Sequence, residues 1–391
     1  MNHLRTGKKD GLVINDPGVV RIGLLYSSTG LLAATEISVS QGAILAVEEI
    51  RAQQVMGQLR FEVVAGDYGS DPTTAGRCAR DLLRDERVDV IVGGYTSASR
   101  ISIIPAIEQS DSVYIYPTSF EGLECHPKTI YVGAVPNQFF EAYMDWILTN
   151  LGRRIYVIGS DYVYPRTLGV IIQTLGRAAG ADIVADRYVP LDSSDLGQVV
   201  REIKDLKPDV VISNLVSVDS IKSLYRGFRS AGIGWDEIPI AATVTTEIEV
   251  RETGPEYVEG HYMASTYFSS LTNANNLRYV DALRTRFGDD AVAHVTQVGA
   301  YNAMWVLADA LNRADDLSSQ SILQSLIGTT FHGNPEGWPL VIGSNHHSSH
   351  GSYIGQAQAD GSYKVIAEFA PREPDPYPPS IVPLDKRPSF S

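Results

Sequence analysis

The stretch Val19-Val20-Arg21-Ile22-Gly23-Leu24-Leu25-Tyr26-Ser27-Ser28-Thr29-Gly30 passes from mostly apolar residues into small hydroxyl residues and a glycine. It reads as a buried strand over Val19 to Tyr26, ended by a turn over Ser27 to Gly30. A different period follows. From Gln41 to Gln53, Ile44, Val47 and Ile50 recur on one helical face while Glu48, Glu49 and Arg51 fall on the other, which predicts a helix. The unit then repeats: a strand over Leu59 to Asp67, a helix over Pro72 to Arg84 opened by Asp71-Pro72, and a strand over Val88 to Tyr95. A helix carrying Ile103, Ile104 and Ile107 and a strand over Val113 to Pro117 complete the series. Such alternation predicts a mostly parallel sheet covered by helices.

A second series begins after Asn137. Helices are expected over Gln138 to Leu151, Thr167 to Ala179, Leu196 to Leu206 and Ile221 to Ala231. Strands are expected over Arg154 to Gly159, Asp182 to Tyr188, Asp209 to Asn214 and Ile238 to Thr243. Two α/β series of similar size argue for two lobes of one architecture. From about Gly260 onward, a strand over His261 to Tyr267, helices near Asn276 to Phe287 and Val298 to Asn312, and strands near Tyr353 to Ala357 and Tyr363 to Phe369 are too few for a third lobe. The chain is therefore expected to cross back and complete the first two. Seven prolines between Pro371 and Pro388 predict an extended surface tail.

The 391 residues, 44% hydrophobic and 20% charged, fit a globular chain with more than one core. The longest apolar runs, such as Val90 to Gly94 and Ile155 to Gly159, fall far short of the ~18 residues of a membrane span. A formal net charge of -14, from 46 acidic and 32 basic residues, repels phosphate backbones and anionic lipid. Direct nucleic-acid binding and membrane insertion are thus not expected. The opening basic patch, Arg5, Lys8 and Lys9, is followed by no apolar leader segment, which predicts a cytoplasmic protein; a periplasmic or cell-surface location follows if a leader has been removed. Cys78 and Cys125 are expected as free thiols.

In open parallel sheets, ligands bind beyond the carboxyl ends of the strands. The residues just after the predicted strands are Ser27, Ser28 and Thr29, Asp67 and Tyr68, Tyr95, Thr96 and Ser97, and Tyr116, Pro117 and Thr118 in the first series. The second series gives Asp161, Tyr162 and Tyr164, then Asn214 and Ser217, then Thr245 and Thr246. The set is rich in hydroxyls and aromatic rings and lacks the paired cations a phosphate or dicarboxylate requires, which suits a small neutral polar ligand. No G-x-S-x-G, H-E-x-x-H or P-loop occurs, so neither catalysis nor a cofactor is expected. His346, His347 and His350 lie in a polar connection and read as a solvated loop rather than a metal site. Trp146 and Trp305 read as core.

Tyr95-Thr-Ser97, Tyr116-Pro-Thr118 followed by Phe120-Glu-Gly122, Pro136-Asn-Gln138, Gly159-Ser-Asp-Tyr-Val-Tyr-Pro-Arg166, Pro335-Glu-Gly337 and Pro374-Asp-Pro-Tyr-Pro378 together resemble the type I periplasmic-binding-protein family. More narrowly they look like its branch of short-chain amide sensors of aliphatic amidase operons and urea or short-chain amide-binding proteins of ABC transporters. The resemblance implies an α/β fold of two Rossmann-like lobes joined by three hinge crossovers. The first lobe would hold 19–137 and about 264–337, the second 138–263 and about 338–370, with an extension over 1–18 and the tail over 371–391. It implies amide contacts from Tyr95, Ser97, Tyr116 and Thr118 and from Tyr162 and Tyr164, with Ser28, Asp67, Pro117, Asn214 and Thr245 as further candidates. The segment Thr296 to Tyr301 departs from the branch in lacking an acidic residue. The resemblance implies a cytoplasmic amide sensor that sequesters a basic RNA-binding antiterminator. The alternative is the urea- or amide-binding component of an ABC importer, partnered by a permease. A branched-chain amino acid is the less favoured ligand, and a homodimer stays open.

Overall fold

The computed structural model describes residues 18–379 and 381–387, so the basic patch of the N-terminal extension lies outside the described residues. Among the described residues the chain forms a five-stranded sheet, a seven-stranded sheet and a two-stranded ribbon. The first sheet contains β1 (Val19–Leu25), β2 (Arg60–Gly66), β3 (Val90–Gly93), β4 (Val113–Tyr116) and β5 (Thr129–Tyr131), all parallel, in the order β2-β1-β3-β4-β5. α1 (Ala33–Ala52), α2 (Pro72–Arg84) and α3 (Ser97–Glu108) connect its first four strands. β3 and β4 are buried along their whole length, which is why they read as continuous apolar runs. Asp71 caps α2 by accepting from the Thr74 N–H at 2.7 Å, and Pro72 occupies the first helical turn where its missing N–H costs nothing.

The chain then leaves for the second sheet through α4 (Pro136–Asn150). β6 (Arg154–Ser160), α5 (Val163–Ala178), β7 (Asp182–Val189), α6 (Gly197–Leu206), β8 (Val210–Asn214), α7 (Val218–Ala231) and β9 (Ile240–Ala242) follow in alternation. Two short helices, α8 (Glu247–Thr253) and α9 (Pro255–Val258), precede β10 (Tyr262–Ser265). Next the chain returns to the first sheet with α10 (Ala274–Phe287), α11 (Val295–Leu311) and α12 (Ser319–Leu326), where α11 packs on α1 and α12 reaches β4. The ribbon β11 (Thr330–Phe331) and β12 (Leu340–Val341) leads back to the second sheet, closed by β13 (His350–Ala357) and β14 (Tyr363–Arg372). The second sheet has the order β14-β13-β10-β9-β8-β6-β7, in which β13 alone runs antiparallel to the other strands.

Each large sheet carries helices on both faces. Leu25, Ile91 and Tyr114 pack with α2 and α3, while Tyr156, Ile158 and Val211 pack with α6 and α7. The opposite faces share one apolar cluster, in which Val92 and Ile115 join Val157 and Ile212 through α4 and α11. The crossovers between the sheets are tied together as well. Gln138 Nε2 donates to the carbonyls of Ser348 (2.8 Å) and Arg372 (3.0 Å), and Tyr131 bridges to His347.

Several local expectations change. α1 starts at Ala33 rather than Gln41, because the hydroxyl-rich residues before Gln41 are buried with partners: Ser38 Oγ accepts from Gln297 Nε2 at 3.1 Å. β5 and α12 are too short to show a period in the sequence. The histidine segment is not a solvated loop. His347 is fully buried and stacks on Tyr131 with ring centroids 4.3 Å apart, and His350 pairs with Glu336 at 2.7 Å. Trp146 and Trp305 are half-buried at the margin of the core. The tail is not extended throughout: β14, an edge strand that tolerates Pro371, runs to Arg372, and Leu384–Lys386 form a 3₁₀ turn. Between them the tail docks on the first sheet's loops, with the Leu123 N–H donating to the Pro376 carbonyl at 2.6 Å. Cys78 and Cys125 are free and half-buried. No helix among the described residues is long and apolar enough to cross a membrane.

Candidate ligand-binding site

The carboxyl ends of β3, β4, β6, β9 and β10 converge on one cavity of about 60 Å³ between the two sheets. Since a single water needs ~10–15 Å³ of such space, the cavity accepts a handful of non-hydrogen atoms. Local chemistry places its walls. Gly93, at φ 138°, lets the chain turn sharply off β3, where a Cβ would lie 2.2 Å from the Leu25 carbonyl oxygen. Thr96 then caps α3 by accepting from the Ser99 N–H, which sets Ser97 at the first helical position facing the cavity. Opposite, Tyr162 stands in extended backbone at the start of α5, with Tyr164 in its first turn.

Of the residues expected from the sequence, Tyr95, Ser97, Thr118, Tyr162, Tyr164 and Thr246 line this cavity. The others stand outside its wall, each held by a partner elsewhere. Tyr116 is fully buried beneath the Arg100 guanidinium, and its hydroxyl donates to the Tyr95 carbonyl at 2.9 Å. Ser28 Oγ donates to Asp67 Oδ2 at 2.6 Å, and that pair joins two loops at the edge of the first sheet. The Pro117 carbonyl abuts Gly299 of α11, where a Cβ would approach it to 2.3 Å. Asn214 lies behind the wall and accepts from Thr243 Oγ1 at 2.9 Å, while the Thr245 carbonyl accepts from the Tyr363 hydroxyl at 2.6 Å. The wall also contains Ser119, Phe139, Val216, Thr243, Val244, Ala264, Ser265, Thr266, Val295 and Thr296. Ser265 closes β10 and Thr266 follows it directly, so the strand-end rule applied to that strand points to them. Phe139 and Val295 sit at helix starts and carry no such signal.

The hydroxyl protons of the wall point in a consistent direction. Ser97 Oγ donates to Glu121 Oε2 at 2.5 Å, Thr266 Oγ1 to Glu336 Oε1 at 2.9 Å, and Thr246 Oγ1 to Glu249 Oε2. Thr243 Oγ1 donates to Asn214, and Thr118 Oγ1 makes a long contact of 3.4 Å to the Gly94 carbonyl. Two of the three tyrosines, Tyr95 and Tyr162, have hydroxyls without a hydrogen-bond partner among the described residues, whereas the Tyr164 hydroxyl reaches Thr243 Oγ1 at 3.5 Å.

No Asp, Glu, Lys, Arg or His side chain among the described residues lines the cavity. Charges stand one layer back. Glu121 is paired with Arg100 at 2.8 Å, and both are almost completely buried. His350 faces Glu336 on one ring nitrogen and the Val132 carbonyl on the other. Burial opposes protonation of that ring, but the Glu336 carboxylate outweighs it and the His350 pKa is raised. Glu249 has no cation beside it, and burial pushes its carboxyl up to about 7. Burial also holds the phenols in their neutral form, with Tyr164 pushed up to about 12 and Tyr95 and Tyr162 well above the ordinary range. Around neutral pH the tyrosines are therefore hydrogen-bond donors, and the wall is electrically neutral. Among the described residues no group of three or more His, Cys, Asp or Glu side chains is placed to hold a metal.

Comparison with known proteins places the chain in context. Residues 20–382 match the family described as periplasmic binding protein domain. The chain is 22% identical over 370 residues to Leu/Ile/Val-binding protein homolog 7 of Brucella melitensis biotype 1, covering 89% of this chain and 91% of that protein. It is similar in structure, with a TM-score of 0.81 at 19% identity, to the solute-binding protein of an ABC transporter from R. palustris in complex with benzoate; the match covers 92% of this chain and 98% of the other. A 126-residue stretch is 32% identical to a limonene hydroxylase of Geobacillus stearothermophilus, but it spans 32% of this chain and only 22% of that protein.

Proposed function

The chain belongs to the periplasmic-binding-protein domain family, and from that premise we propose that it is the solute-binding component of an ABC importer, with a small neutral amide or urea as its ligand. The lobes that close on the ligand are 19–137 with about 264–337, and 138–263 with about 338–370. The observation that carries the ligand class is the small interlobe cavity with its neutral wall of hydroxyls and tyrosines. Acetamide and urea match its size. Leucine and benzoate, which the names of relatives mention, are larger, and each carries a carboxylate for which this wall offers no cation. The free Tyr95 and Tyr162 hydroxyls, one from each lobe, can donate to a carbonyl oxygen and so make closure depend on the ligand.

The importer role is favoured over a cytoplasmic sensor of an antiterminator by the similar R. palustris protein, which is named as the solute-binding protein of an ABC transporter. Under this reading the acidic surface meets a permease rather than a basic RNA-binding protein, and the protein works outside the cytoplasmic membrane. Calorimetric titration with acetamide, urea, leucine and benzoate tests the ligand class. Saturable binding of an amide or urea is expected; binding of leucine or benzoate with neither amide nor urea refutes it. Neighbouring genes for a permease and two ATPases are expected, and an amidase with a small RNA-binding protein in their place would return the sensor role.

A further inference from the structure

Unlike the tyrosines, Ser97, Thr246 and Thr266 direct their hydroxyl protons away from the cavity. A serine or threonine hydroxyl has one proton and two lone pairs, and here Ser97, Thr246 and Thr266 each spend the proton on a carboxylate one layer back. The direction is fixed at Ser97, because Glu121 is ion-paired with Arg100 and its carboxylate can only accept. Toward the ligand, Ser97 is left with lone pairs alone. The same holds at Thr266, whose acceptor Glu336 is held by His350 and by the side chain of Asn334 at 3.3 Å. Glu121 and Glu336, from separate parts of the chain, thus leave Ser97 and Thr266 facing the cavity as acceptors, beside the tyrosine donors.

We propose that Glu121, held by Arg100, is a specificity-determining positioning residue: by taking the Ser97 proton it makes the cleft read ligand N–H groups and reject carboxylates. This rests on the interlobe cavity being the solute site. It narrows the ligand to neutral molecules that present N–H donors on one side and a carbonyl oxygen on the other, as primary amides and urea do. A carboxylate would bring its oxygens against the lone pairs of Ser97 and Thr266 and find no donor there.

Glu121→Gln tests the relay. Arg100 has only donors, so the amide oxygen of the new side chain must face Arg100 and its NH₂ must face Ser97. Ser97 then accepts, and its proton swings into the cavity. Calorimetry with acetamide and acetate on the full chain should show the acetamide-to-acetate affinity ratio falling at least about tenfold. In a Ser97→Ala background the same substitution should leave the ratio nearly unchanged, since the relay has lost its hydroxyl. An unchanged ratio in Glu121→Gln, or an equal fall in the Ser97→Ala background, which would signal the altered charge acting directly, overturns the proposal. Should Glu121→Gln not fold, Ser97→Ala alone is read instead: it removes an acceptor from acetamide and a repelling lone pair from acetate, so the ratio should fall by about tenfold, and an unchanged or higher ratio overturns the proposal. A wild-type protein that binds no amide or urea overturns the proposed ligand class together with this inference; an amide-binding wild type with an unchanged ratio in the variant overturns this inference alone.

Discussion

Tyr162→Phe separates binding from folding. The Tyr162 hydroxyl lines the cavity and has no hydrogen-bond partner among the described residues, so its loss breaks no bond within the protein. The ring that packs against the core is retained. Stability should therefore stay within about 0.5 kcal/mol of the parent. Binding behaves differently. If the phenol donates to the ligand oxygen in a closed, water-free cavity, removing it leaves a buried carbonyl without its donor, at a cost of about 1–3 kcal/mol, or roughly a 5- to 150-fold weaker Kd. Calorimetric titration of acetamide into both proteins, with thermal denaturation of each, measures the two effects side by side. A Kd within about twofold of the parent, with or without a lower Tm, would refute the reasoning, because the hydroxyl would then have no role at the ligand.

Tyr116→Phe should show the opposite pattern: the lost bond to the Tyr95 carbonyl lowers stability by about 1 kcal/mol while acetamide affinity changes far less than in Tyr162→Phe, as chemical denaturation and calorimetry would reveal. Gly42→Ala places a Cβ 2.1 Å from the Gln297 carbonyl oxygen at the crossing of α1 and α11, and the resulting overpacking should cost about 1–3 kcal/mol in urea denaturation. Glu36 is fully buried, and burial raises its carboxyl from 4.5 to about 7. The folded state therefore holds this proton more tightly than the unfolded chain; the contribution is fully present below pH 4.5 and is lost as pH rises to and through 7, for about 3 kcal/mol in all. Glu36→Gln should flatten that part of the stability profile between pH 5 and 8, and an unaltered slope in the variant would contradict the assignment.

The fold was legible because its strands are short apolar runs that alternate with amphipathic helices, and the end of each run marks where a parallel sheet exposes its loops. That logic finds Tyr95, Ser97, Thr118, Tyr162, Tyr164 and Thr246. It could not tell Tyr95 from Tyr116, since both close a strand and only the packing of Arg100 over Tyr116 decides which ring turns inward. Nor could it find the carboxylates behind the wall. Glu249 and Glu336 lie far in sequence from the first-lobe residues they meet or support: Glu249 accepts from Thr35 in α1 at 3.3 Å, and Glu336 holds His350, whose other nitrogen reaches Val132. A glutamate in a helix or loop reads as solvated until its partners are known, and here the partners come from other segments. The histidines at 347 and 350 escape a sequence reading for the same reason, because what looks like a polar connection in the sequence is a buried crossover in the fold.

The account stands or falls on what occupies the cavity between the sheets. A crystal structure of the protein grown with saturating acetamide or urea measures this directly. One ligand enclosed by both lobes is expected, its oxygen within hydrogen-bond distance of the Tyr95 or Tyr162 hydroxyl and its nitrogen beside Ser97. A cavity holding only water under those conditions, or a ligand bound elsewhere on the molecule, would contradict it.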